Sequence, residues 1–159
     1  MNNNSCSLRF KIAVFLITAA IIAFAFIHSS MPSEQSAEES ENVLGFLQYI
    51  LGFFGLENGL NDHIVRKAAH FIEYTALGVM LTFCAYSFNR IKPCKFSPHI
   101  AGAGLLTAVI DETIQLNVLG RAGMIMDVWL DFSGILTGAA LMMVVFIIYI
   151  RIREKSISE

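Results

Sequence analysis

The chain has 159 residues, of which 55% are hydrophobic and 15% are charged, and its formal net charge is −2. A soluble domain carries about a quarter of charged residues, and a nucleic-acid-binding domain usually shows a basic surplus. The hydrophobic residues also lie in long blocks, which indicates that the solvent is a lipid bilayer. The composition therefore excludes an ordinary soluble domain, and we expect membrane lipids rather than nucleic acid as partners.

Four apolar blocks predict four membrane-spanning helices, at residues 12–27, 68–88, 100–119 and 128–150. The predicted fold class is therefore all-α, an integral membrane bundle. A basic lead before the first block is also typical of a signal peptide. The small-x-small site at residues 23–25 lies inside the block, however, so we favour an uncleaved first span.

The remaining segments complete a single membrane domain over residues 12–150. Residues 1–11 form a polar N-terminal segment, and residues 151–159 form a polar C-terminal tail. The loop 28–65 is Ser-rich and acidic, and within it residues 43–56 form an apolar run that is too short to span a bilayer. This run predicts a short interfacial helix on the outer side of the membrane.

Orientation follows from the basic residues, because positively charged loops stay in the cytoplasm. Arg66, Lys67 and Arg121 fall on one side of the four predicted spans. The other side carries Arg9, Lys11, Arg90, Lys92, Lys95, Arg151, Arg153 and Lys155. We therefore predict a multi-pass membrane protein with both termini in the cytoplasm.

Ionisable residues interrupt three of the four spans. Arg66, His70 and Glu73 follow one another at i, i+4 and i+7, so they share one face of the second helix. Ionisable groups at membrane depth are costly, and they usually mark a functional site. The candidate site residues are Arg66, Lys67, His70, Glu73, Tyr74, Asp111, Glu112, Gln115, Arg121, Asp127 and Asp131.

These residues are predicted to meet at one depth. At about 1.5 Å per residue, His70 lies about 6 Å and Glu73 about 10 Å below Arg66. By the same rise, Asp111 lies about 12 Å below the outer end of the third span, with Gln115 above it. Groups of this kind avoid lipid, so they should converge inside the bundle or on a wet cavity that faces outward.

Three spaced motifs occur in a fixed order along the chain. They read Arg66-Lys67-x-x-His70-Phe71-x-Glu73-Tyr74, then Asp111-Glu112-x-x-Gln115 followed by Arg121, then Asp127 leading to Gly134. In this order they resemble the VanZ-like family of small bacterial membrane proteins, and the resemblance covers roughly residues 12–145. One position departs from the pattern, because the family usually has Asn where this chain has Asp131.

The resemblance implies little about chemistry. The family is named for a protein associated with resistance to the glycopeptide antibiotic teicoplanin. The resemblance brings no established reaction, substrate or cofactor, and membership does not imply that this chain confers resistance. The three cysteines, Cys6, Cys84 and Cys94, have no spacing typical of a disulfide framework or a zinc site. We accordingly expect no cofactor.

We favour the binding of an amphiphilic ligand from the cell envelope: a lipid-linked cell-wall intermediate, a lipid head group or a lipoglycopeptide. Arg66, Lys67 and Arg121 would hold an anionic group through charge-assisted hydrogen bonds. The polar residues beneath them would orient the ligand. A purely structural polar network between the helices is one alternative, although interhelical polar contacts in membranes contribute only about 0.6 kcal/mol on average.

A membrane enzyme is the other alternative. His70, Glu73 and Asp111 are weak candidates for a metal site or an acid–base pair, because imidazole and carboxylate groups bind zinc and manganese. No catalytic residue is assigned from the sequence.

Two further expectations concern individual residues. Gly134 and Gly138 form a GxxxG pattern, which we expect to serve packing inside the bundle rather than dimerisation. His28, His63 and His99 lie at span edges or in loops, and we expect them to be solvated.

Overall fold

The computed structural model describes residues 5–36, 41, 43, 45, 61–121 and 123–158. Over these residues the chain forms long α-helices, and the described part contains no β-strand. The predicted all-α class is therefore confirmed. The predicted interfacial helix at 43–56 lies almost wholly outside the described residues.

Four long helices make up the described part of the chain. They are α1 (Leu8–Ser29), α2 (Asp62–Phe88), α3 (Ser97–Gln115) and α4 (Ile125–Ser158), with a short 3₁₀ helix at Pro93–Phe96 before α3.

Local sequence signals explain where several of these helices begin and end. The side chain of Ser7 accepts a hydrogen bond from the backbone N–H of Phe10, and that of Asn61 accepts one from Ile64, so both residues cap a helix start. Pro98 lies in the first turn of α3, where its missing N–H costs nothing. The turn after α3 contains Gly120, whose positive φ of 78° favours glycine.

The third helix is shorter than the sequence predicted. It ends at Gln115 instead of residue 119, because residues 116–120 form turns. Three segments are long and apolar enough to cross a membrane: Leu8–Ser29, His63–Phe88 and Ile125–Arg153. The α3 helix is not among them, since its acidic and amide side chains lower its mean hydropathy. Of the four predicted spans, three are thus supported by length and composition.

The helix pair α2–α4 forms the most extensive contact of the described bundle. The two helices run parallel, since Gly134 packs on the carbonyl of Phe71 and Gly138 packs on that of Thr75, one turn further along both helices. A Cβ atom at Gly138 would clash with that Thr75 oxygen. The GxxxG pattern therefore brings two backbones together inside the bundle, as predicted.

The other two helices run antiparallel to this pair. Just before α1 begins, the backbone N–H of Cys6 donates a hydrogen bond to the carbonyl of Ser87, near the end of α2. At the opposite end of α1, Ser29 bonds to Asp111, near the end of α3. The ends of α1 and α3 therefore meet the beginnings of α2 and α4 at one end of the bundle, which we call the pocket end.

Away from the pocket end the helices pack tightly. Tyr74, Leu77, Ala108 and Ile135 form a buried core to which α2, α3 and α4 contribute. We call the segment of α2 from Leu77 to Phe88, together with the parts of α3 and α4 that pack on it, the packed region; Tyr74 lies at its boundary with the pocket end. The hydroxyl groups of the packed region are satisfied within their own helix: Thr82 donates to the carbonyl of Gly78, and Ser87 donates to that of Cys84.

Candidate ligand-binding site

A pocket of about 190 Å³ lies at the pocket end, between the first turns of α2 and α4 and the turn that joins α3 to α4. Seven of the predicted site residues line it: Arg66, Lys67, His70, Gln115, Arg121, Asp127 and Asp131. The remaining lining residues are His63, Gly120, Met124 and Leu130. Residues far apart in sequence are thus brought around one space.

The basic side chains of the pocket have different partners. Lys67 donates a hydrogen bond of 2.7 Å to Asp127, which is a salt bridge between α2 and α4. One Nη of Arg121 lies 3.4 Å from the carbonyl oxygen of His28. The buried Nε of Arg121 makes no hydrogen bond within the described part of the chain. Burial and the nearby charge of Arg66 lower the pKa of Arg121.

Two acidic residues at the pocket end are almost completely buried: Asp131, which lines the pocket, and Asp111, which does not line it. Asp111 is 0% exposed, and its Oδ2 accepts hydrogen bonds from Ser29 at 2.7 Å and from Gln115 at 3.0 Å. Asp131 is 1% exposed, and its Oδ1 lies 3.6 Å from Nδ1 of His70, which is beyond hydrogen-bond distance. The convergence of α2, α3 and α4 at one depth thus matches the geometry derived from the sequence.

Glu73 and Tyr74 lie beside the pocket but do not line it. The carboxylate of Glu73 is 4.0 Å from Nδ1 of His28, on the side of α2 that faces α1. The ring of Tyr74 stacks on that of His70. The Tyr74 hydroxyl lies near the Asp111 carboxylate, yet it makes no hydrogen bond of ordinary geometry to any described residue.

Glu112 has a different role from its neighbour Asp111. Its Oε1 accepts a hydrogen bond from the backbone N–H of Met124, just before α4 begins. The contact fixes the turn between α3 and α4, and it places Glu112 behind the wall of the pocket. Glu112 therefore contributes to the shape of the site.

An apolar groove of about 450 Å³ adjoins the pocket along the outer face of α2. It is lined by His63, Ile64, Lys67, Ala68, Phe71, Ile72 and Leu130. His63, Lys67 and Leu130 line the pocket as well, so the polar and the apolar spaces are contiguous.

Two residues of the site escaped the sequence-based prediction. His28 was expected to be solvated, but its side chain is only 21% exposed and its ring lies 6.1 Å from that of His70. Ser29 bonds to Asp111 and is itself buried. The only sequence signal for either was their position just after the first apolar block, next to the predicted outer loop.

Comparison with known protein families gives a match over most of the chain. The family model described as VanZ/LLP1 matches residues 14–148, which include every candidate site residue. No curated protein and no solved structure shows a significant match to the chain. The match covers all four described helices, from within α1 to within α4.

Proposed function

The chain belongs to the VanZ-like family of membrane proteins, and we propose that it binds an amphiphile with an anionic head group. The head group occupies the polar pocket, and the hydrocarbon tail follows the adjoining groove. The observation that carries this proposal is that the polar pocket and the apolar groove share the lining residues His63, Lys67 and Leu130.

The charges of the pocket support an anion as the head group. Lys67 and Asp127 neutralise each other, whereas no carboxylate of the described residues forms an ion pair with Arg121. The Nε of Arg121 is a buried donor that a phosphate or carboxylate oxygen can satisfy. Guanidinium groups bind such oxygens through paired hydrogen bonds, which fix the orientation of the ligand.

The apolar surface of the groove supports a hydrocarbon tail. Ile72 is 67% exposed and Ile64 is 44% exposed on the flank of α2. In a bilayer these side chains face acyl chains, so a lipid-like ligand reaches the groove laterally without crossing water. A small soluble anion has no apolar part that could fill this groove.

We propose that the pocket opens to the outside of the cytoplasmic membrane and that both termini are cytoplasmic, as the distribution of basic residues predicts. Parallel packing of α2 and α4 supports four spans, because α3 must return the chain from the end of α2 to the beginning of α4. Its 19 residues measure about 28 Å, close to the thickness of the hydrocarbon core. Residues 12–150 then form one membrane domain.

On the outer side, three kinds of ligand share the required chemistry: a lipid-linked cell-wall intermediate, an anionic lipid head group and a lipoglycopeptide. Binding assays with purified full-length protein distinguish them. A long-chain polyprenyl phosphate, phosphatidylglycerol and teicoplanin are titrated in parallel, with phosphatidylcholine as a zwitterionic reference. We expect saturable binding of at least one anionic amphiphile and none of phosphatidylcholine.

The Arg121→Gln variant tests the head-group site. Loss of a charge-assisted hydrogen bond costs about 1.5–3 kcal/mol, so we expect affinity to fall about 10-fold to 100-fold. Arg151→Gln is the matched control, because Arg151 is exposed near the end of α4. Equal affinities of both variants and the unmodified protein would show that the pocket does not hold the head group.

The Ala68→Trp variant tests the groove separately. Ala68 is exposed and lines only the groove, so a large side chain there blocks the tail and leaves the pocket open. We expect weaker binding of long-chain ligands and unchanged binding of a short-chain analogue with the same head group. In the native host, Arg121→Gln should also change susceptibility to envelope-directed antibiotics at normal expression.

A further inference from the structure

We propose that His70, Asp111 and Asp131 bind one divalent transition-metal ion next to the pocket that His70 and Asp131 line. This inference stands on the three side chains alone and is independent of the amphiphile proposed above. The sequence suggested His70, Glu73 and Asp111 as metal ligands. The proposed site contains Asp131 from α4 instead of Glu73.

The first argument is geometric. One potential ligand atom from each of the three side chains lies within 4.8 Å of the other two, and each residue comes from a different helix. Nδ1 of His70 and Oδ1 of Asp131 are 3.6 Å apart. Two ligands of a tetrahedral zinc ion, each at about 2.0–2.1 Å, are separated by about 3.4 Å. The pair is therefore already spaced for a shared ion.

The second argument is the state of the buried carboxylates. Both oxygens of Asp131 and Oδ1 of Asp111 are buried without a hydrogen-bond partner among the described residues. Such groups normally find partners, because an unpaired buried polar atom costs about 1–3 kcal/mol and a charged one costs more. A metal ion that binds one oxygen of each carboxylate would stabilise both buried groups.

A third argument comes from the residues around Asp111. Ser29 and Gln115 both donate to Oδ2, which leaves Oδ1 as the available atom and fixes the plane of the carboxylate. Hydrogen bonds of this kind typically orient the carboxylate ligands of a metal. Oδ2 of Asp111 is therefore fixed by two hydrogen bonds, and Oδ1 remains available to bind a metal ion.

The ligand set and its charge indicate the class of ion. One imidazole and two carboxylates suit zinc or manganese, and two ionised carboxylates with a neutral imidazole balance a dication. Three protein ligands leave at least one coordination position open. His70 and Asp131 line the pocket, so the open position faces the pocket space.

Metal analysis of the purified full-length protein tests the proposal. The protein is stripped with a chelator, incubated with Zn²⁺ or Mn²⁺, desalted and analysed by mass spectrometry for metal content. We expect about one ion per chain. Asp111→Asn and Asp131→Asn should reduce the metal affinity by more than about tenfold.

Glu112→Gln is the matched control, since Glu112 is the adjacent buried carboxylate on α3 and does not belong to the three-residue group. It should retain the metal. Ser29→Ala keeps all three ligands but removes the support of Asp111, and we expect about tenfold weaker binding. Size-exclusion chromatography and thermal melting establish that each variant is folded.

A folded, unmodified protein that takes up neither ion would overturn the proposal. So would an equal loss of metal in Glu112→Gln and Asp131→Asn. His70 and Asp131 would then form only an ion pair. Neither result depends on lipid binding, so failure here leaves the proposed amphiphile site untouched.

Discussion

The pocket end and the packed region of the same bundle differ in how completely their buried polar groups are hydrogen-bonded. In the packed region, the hydroxyls of Thr82 and Ser87 donate to carbonyls of their own helix. At the pocket end, the described residues leave buried polar atoms unsatisfied on Glu73, Tyr74, Asp111, Glu112, Arg121 and Asp131. Both regions are built from α2, α3 and α4.

This difference argues against a purely structural role for the polar residues. If helix association were their purpose, they would pair as completely as the hydroxyls of the packed region do. Interhelical contacts through glycine backbones already hold α2 and α4 together. The unsatisfied atoms support the proposals that a ligand and a metal ion bind at the pocket end.

The largest expected effect is in the packed region. Gly138→Leu would place a side chain against the carbonyl of Thr75, where no flexible group can move aside. We expect the free energy of unfolding to fall by about 3 kcal/mol or more, or folded protein to be lost. Thermal unfolding in detergent measures this, with Gly102→Ala as the control. No atom lies within 4 Å of a Cβ at Gly102, so that change should stabilise α3 by up to about 1 kcal/mol.

The next effect distinguishes the two regions directly. Ser29→Ala removes a hydrogen bond of 2.7 Å to a buried carboxylate, so we expect a loss of about 2 kcal/mol of stability in metal-free protein. Thr82→Val removes a neutral hydroxyl that bonds only to its own helix, and we expect a loss of less than about 1 kcal/mol. Equal losses in chemical denaturation would contradict the contrast between the regions.

A smaller effect is expected for the salt bridge between Lys67 and Asp127. The two side chains are 34% and 25% exposed, so solvent screens their attraction. A double-mutant cycle with Lys67→Met and Asp127→Asn should give a coupling energy of about 0.5–1 kcal/mol. A coupling above about 3 kcal/mol would mean that this salt bridge stabilises the fold strongly, as a fully buried ion pair does.

The smallest effect is expected for Tyr74→Phe. The change keeps the buried ring and removes a hydroxyl without a hydrogen-bond partner in the described residues. We expect stability to remain within about 1 kcal/mol of the unmodified protein, or to rise. A clear loss of stability in thermal unfolding would show that the hydroxyl does bond to Asp111. The pocket end would then resemble the packed region more closely.

The periodicity of the sequence was sufficient to predict which polar residues of different helices lie at the same depth. A rise of about 1.5 Å per residue placed His70, Asp111 and Gln115 at one depth, and the structure brings these residues together. The rotation of each helix about its own axis determines which of these side chains point into the pocket. Glu73 lies one turn from His70, yet it is directed toward His28 on α1 instead of into the pocket.

The sequence by itself determined that the chain is an all-helical membrane protein with polar residues at one end. Long apolar blocks have no other stable solution in a bilayer, where backbone groups must be satisfied within each segment. Tertiary structure alone decided which polar groups meet. The pairing of Lys67 with Asp127, the buried contact of Ser29 and the approach of Asp131 to His70 depend on helix rotation and side-chain direction. Spacing along one helix cannot specify how it turns toward another.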